Sequence, residues 1–104
     1  MVGCSSDVEK ADKLFVRAHQ AATESSQIQK TSFVDAYALL RAADDGLAEI
    51  ATQYPNTTIG IQVGDVSCGI GPYTIGELRE TILPGLAELA AAEQSLTSAM
   101  TLVL

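Results

Sequence analysis

The chain has no tryptophan, only two cysteines, one histidine and few rings, two phenylalanines and three tyrosines. Each shortage closes a door. Cys4 and Cys68 stand too far apart for the paired-cysteine spacing of a zinc site. They are expected either to pair across an oxidising compartment or to stay free thiols. His19 has no neighbour that could orient it as a general base, which needs a partner within hydrogen-bond reach; it reads as a surface or capping histidine. Basic residues are also scarce: six Lys and Arg against thirteen Asp and Glu, a net charge of −7. That balance argues against nucleic-acid binding, which exchanges phosphate counterions for Lys and Arg, and against attraction to anionic membranes. No apolar run approaches the ~20 residues of a spanning helix. Only three residues precede Cys4, too few for the apolar core of a signal peptide. No catalytic residue, metal site or cofactor is expected.

What the chain does have is helical periodicity. Its 104 residues allow one domain with a modest core. The longest pattern is Ser32–Pro55. Ala36, Leu40, Ala43, Leu47, Ile50 and Tyr54 recur at spacings of three and four, which is one face of a helix. Tyr37, Leu39 and Ala51 widen that stripe. Ser32 suits the N-cap and Asp35 the positive end of the helix dipole. Pro55 stops the helix near Tyr54. Gly46 costs roughly 1 kcal/mol in a helix interior, so a second helix is expected to cross closely there.

Ahead of this helix, Ser6, Asp7, Val8 and Glu9 fit a capping box, with residues 1–5 unstructured before it. Val8, Ala11, Phe15, Ala18 and Ala22 carry a first helix to about Thr23, and the polar run from Glu24 to Gln27 is expected to end it. The short connection to Ser32 makes the first two helices an antiparallel pair.

Residues 56–73 read two ways. Ile59, Ile61 and Val63 alternate as in a strand that could return through Val66–Ile70. Alternatively, a short helix starts at Asn56 or Thr57 and closes at Gly64; of the two, helix is the expectation for 57–68. Gly69, Ile70, Gly71 and Pro72 form a linker in either case. Thr74 to Glu77 is a second capping box. The apolar positions Ile75, Leu78, Ile82, Leu89, Ala92, Leu96 and Val103, with Met100, predict a last helix kinked at Pro84. Met100–Leu104 is almost wholly apolar and is expected to pack on the core or on a second subunit.

Three polar features stand beside these elements. Asp44, Asp45 and Glu49 lack the alternating oxygen ligands of a calcium loop and read as a solvated face. Gly69 and Gly71 before a helix start suggest an anion cradle, without a third glycine or a Walker lysine. Asn56, Thr57 and Thr58 form a glycosylation sequon, which helix capping after Pro55 also explains.

Two resemblances follow from these residues. Leu47, Ala48, Glu49 and Ile50, then Tyr54, Pro55, Asn56 and Thr57, and the Gly-rich link into Thr74–Leu78, resemble a helix end and its continuation in tetratricopeptide-like bacterial proteins. The helical stripes and short connections predict an all-α antiparallel bundle of three long helices with a short fourth element, and the resemblance implies a protein-interaction role. Val2, Gly3, Cys4 and Ser5 resemble the end of a bacterial lipobox, which implies lipid attachment at Cys4 and a periplasmic location; without lipid the protein is cytoplasmic. The expected function is a non-enzymatic helical domain that binds another protein or associates with itself through the C-terminal tail. The alternatives are a small-ligand or anion binder using the Gly64–Thr74 link, and a structural subunit assembling through that tail.

Overall fold

The computed structural model describes residues 2–103, and the side chains of residues 6–100. It is an all-α protein: α1 (Val2–Ile28), α2 (Phe33–Gln53), α3 (Thr58–Gln62), a small hairpin of β1 (Gly69–Ile70) and β2 (Tyr73–Thr74), α4 (Ile75–Glu77), a π-helical turn (Leu78–Ile82) and α5 (Leu83–Val103).

The core forms on α2. Its stripe of Ala36, Leu40, Ala43, Leu47 and Ile50 is fully buried; Ala51, on its margin, is exposed. Ser32 caps the helix by accepting from the Asp35 amide at 3.2 Å. Tyr54 closes it, donating its amide to Ile50 O. Against the stripe lie Ala11, Ala18 and Ala22 of α1, whose small side chains let the axes approach. Ser25 Oγ donates to Ala36 O, while Ala18 lies against Gly46; late α1 therefore meets early α2, and the two run antiparallel. A Cβ on Gly46 would stand 3.7 Å from Ala18 Cβ, an ordinary contact. The crossing thus does not require glycine.

α1 differs from its expectation at both ends. It runs through positions 2–5 in place of an unstructured start, so Ser6 and Glu9 lie inside the helix and form no cap. Val8 faces solvent. The polar run after Thr23 does not stop the helix, because its hydroxyls bond within the structure. Thr23 donates to His19 O and Ser26 to Thr23 O, the back-bonding that serine and threonine make inside helices. Buried Ser25 is matched by Ala36 O at 2.6 Å.

After Pro55 the chain forms a helix, though a shorter one than the expected 57–68. Thr57 caps α3: its hydroxyl accepts from Gly60 N at 2.9 Å and donates to Tyr54 O at 2.7 Å. Gly60 is seated so tightly that a Cβ would overlap the Tyr54 carbonyl. Ile61 is 68% exposed and Val63 is buried, so their alternation is not that of a strand. The hairpin falls later, at the stretch expected to be a linker, with Gly69 opposite Thr74 and Ile70 opposite Tyr73. Gly71, at φ 60°, makes its turn.

Thr74 and Glu77 complete the capping box, each side chain accepting the other's amide at 3.2 Å. One wide turn follows, in which Leu83 N–H reaches Leu78 O, five residues back. It gives the Pro84 ring room beside a carbonyl it would otherwise strike, and the helix passes through Pro84 into α5. The wide turn also moves the stripe. Leu86 and Ala90 face the core, whereas Leu89 and Leu96, expected inside, are 45% and 64% exposed and Ala92 is exposed too. Arg79 Nε pairs with Asp44 Oδ1 at 2.7 Å and Glu93 Oε2 accepts from Val34 N at 2.8 Å, which sets this arm antiparallel to α2. The molecule measures 63 × 24 × 20 Å.

Candidate functional site

Two places gather functional side chains. The first is where the hairpin seats on α1. His19 Nδ1 accepts from Gly71 N at 3.0 Å, and Gln29 Nε2 donates to Tyr73 Oη at 2.9 Å. A Cβ on Gly71 would stand 2.9 Å from Ala22 Cβ and 3.0 Å from Thr23 N. His19 is therefore an exposed latch for the turn, joined to a backbone amide and to no acid or nucleophile. Sequence spacing gave no sign of this pairing, because 52 residues separate the partners.

The same region answers the anion-cradle expectation. Gly71 N points to His19, Ile75 N to Cys68 O, Gly76 N to Val66 O and Glu77 N to the Thr74 hydroxyl. Those amides, which a bound anion would require, are taken within the chain. Asp65 is the link's one carboxylate, and bonds from the Ser67 amide and hydroxyl hold it below its ordinary pKa. Cys68 is a free, half-buried thiol. Burial, and then the nearby Asp65 charge, push its pKa up, which lowers its thiolate content and its reactivity. The side chain of Cys4, the expected lipid-attachment residue, lies outside those described.

The acidic positions on α2 do not converge. Asp44 is paired with Arg79, while Asp45 and Glu49 lie along a shallow groove with Arg17 and Gly46. Among the described residues, no group of three His, Cys, Asp or Glu side chains could hold a metal ion. No helix of the described residues is long and apolar enough to cross a membrane.

The second place is the outer face of α5. Leu89, Leu96 and Met100 (59% exposed) point to solvent along it. Beside them Phe33, half-buried at the start of α2, and the Gln29–Ser32 connection wall a groove of ≈ 400 Å³ with Leu89, Ala92, Glu93 and Leu96. Glu93 is the groove's acidic member, and its carboxylate is already engaged by the Val34 amide. The rest of the groove's lining is apolar side chain and a polar rim that includes Lys30. Of the tail expected to pack, Met100 is exposed and the side chains of residues 101–104 lie outside those described. Past Ala90, no described residue is buried. No protein-family model, curated protein or solved structure matches the chain.

Proposed function

We propose that the chain is a non-enzymatic interaction domain, an antiparallel helical bundle of tetratricopeptide-like build that binds through the outer face of α5 and the groove beside Phe33. One observation carries this reading: Leu89, Leu96 and Met100 are all exposed on the same helix, within about three turns of one another along one face. A row of exposed large apolar side chains on a small monomer marks a contact surface. The closure of α2 at Tyr54 and the opening of α3 at Thr57 favour the tetratricopeptide-like build. In the hairpin region His19, Asp65 and Glu77 bond to backbone amides, and the carboxylates of α2 do not converge on one point.

A photo-crosslinking residue placed at Leu96 tests the reading. The same residue at Ala48, exposed on α2, is the control. Expressed in the native host, the Leu96 probe should give a discrete adduct and the Ala48 probe none. An empty lane for both would end the proposal.

A further inference from the structure

The outer face of α5 is built to meet itself. Leu89, Ala92, Leu96 and Ala99 are exposed and follow one another at spacings of three, four and three, the seam of a helix pair. When two copies of this seam run antiparallel, Leu89 falls opposite Ala99 and Leu96 opposite Ala92, on both sides of the twofold axis. Each large side chain meets a small one, so the helices approach closely without overlap. Such self-complementarity is what an isologous contact requires.

Charge agrees with this pairing. The chain carries −7, yet positions 94–104 hold no charged residue, so two copies can meet here with little like-charge repulsion. On the flanks near the twofold axis an antiparallel pair brings Ser95 beside Ser95 on one side and Glu93 beside Glu93 on the other, the one like-charge approach, and each Glu93 carboxylate is already bonded to its own Val34 amide. A membrane surface is a poorer occupant, because an interfacial helix draws on Lys and Arg along its polar face and α5 has neither. The overhang also gains from cover. Positions 94–100 extend about 10 Å at 1.5 Å per residue with every side chain exposed, and short helices owe most of their stability to packing.

We propose that the protein forms a homodimer in which the α5 helices pack antiparallel, Leu89 and Leu96 of each copy seated on Ala99 and Ala92 of the other. This rests on the interaction role above and names its partner as a second copy of the chain. Two helices alone bury less than the ~800 Å² per partner of a standard interface. Phe33 and the Gln29–Ser32 turn, which wall the groove beside Leu89 and Leu96, add contact at each end of the pair. The dimer is therefore expected to dissociate on the order of micromolar concentrations.

Sedimentation equilibrium of the full chain and three variants tests the register, with circular dichroism to confirm the fold. The wild type should move from monomer to dimer with concentration. Leu96→Ala removes two symmetry-related contacts per dimer and should weaken that association at least about tenfold, the equivalent of about 1.4 kcal/mol. Adding Ala92→Leu to Leu96→Ala restores a large-small pair and should recover the dimer. Adding Ala99→Leu instead sets leucine against Leu89 and should not. Recovery by both double variants would mean general stickiness and overturn the register. A wild type that stays monomeric at millimolar concentration would overturn the dimer. In that case a Leu96 crosslink to a heavier, different protein would still support the interaction role, whereas no crosslink would remove both.

Discussion

Two regions of this molecule use glycine, alanine and leucine to opposite purposes. Where the hairpin seats on α1, small residues admit neighbours: Gly71 lies against Ala22 and Thr23, and Gly60 against the Tyr54 carbonyl. The polar groups described there have partners, and no buried side-chain nitrogen or oxygen among the described residues is left without one. Along the outer half of α5, similar residues face nothing. Ala92, Ala99, Leu89 and Leu96 are all exposed. The difference separates stability from recognition. One region is closed and holds the fold; the other has the composition of a core and leaves it exposed.

The comparison is broken most severely on the inner side. Leu47→Ala empties a fully buried position and should cost roughly 2–5 kcal/mol in urea denaturation. Leu96→Ala, measured on dilute monomer, should stay within about 0.5 kcal/mol. Equal losses at the two sites would erase the distinction between buried and exposed leucine.

Gly71→Ala comes next. It places a side chain in left-handed geometry and against Thr23, and should cost about 1–3 kcal/mol. Hydrogen exchange should show the Ile75 and Gly76 amides, bonded to Cys68 and Val66, opening first. If α2 amides open together with them, the hairpin is no separate unit.

Glu93→Ala removes the acceptor that α5 supplies to the start of α2. The expected loss is about 1 kcal/mol, that of a helix cap. Glu93→Gln, which keeps an oxygen there, should lose less. Equal losses for the two would assign the effect to charge alone.

The smallest effect is expected at Arg79→Ala. Its ion pair with Asp44 involves side chains 41% and 30% exposed, and such pairs contribute about 0–1 kcal/mol. Molar salt should abolish the difference from wild type.

How far the sequence reached depends on how local the cause was. The face of α2 was legible because five positions repeat at helical spacing and Ser32 caps them within one turn. The Thr74–Glu77 box was legible for the same reason. The end of α1 was not, since Ser25 is satisfied by Ala36, across the helix pair. The latch of His19 on Gly71 was likewise beyond reach. The face of α5 was misread by one step: counting an α-helical period through Leu78–Ile82 places Leu89 and Leu96 inside, whereas the wide turn takes up an additional residue and brings Leu86 and Ala90 there. The exposed stripe, and with it the candidate site, follows from that step. The composition of residues 94–104 had already marked the tail as unusual.

That wide turn also bears on how the chain tolerates changes in length. Five residues there span what four would in an α-helix. Removing one exposed residue from it, Arg79, Glu80 or Thr81, would let the backbone relax to α-geometry while α5 keeps the same face toward the core. The same deletion inside α2 would rotate every later position by about 100° and turn the buried stripe outward. A gene encoding this fold can therefore lose a codon at the π-helical turn and keep the facing of α5 once Pro84, whose ring an α-turn would press on a carbonyl, is replaced as well, a freedom that α2 does not share.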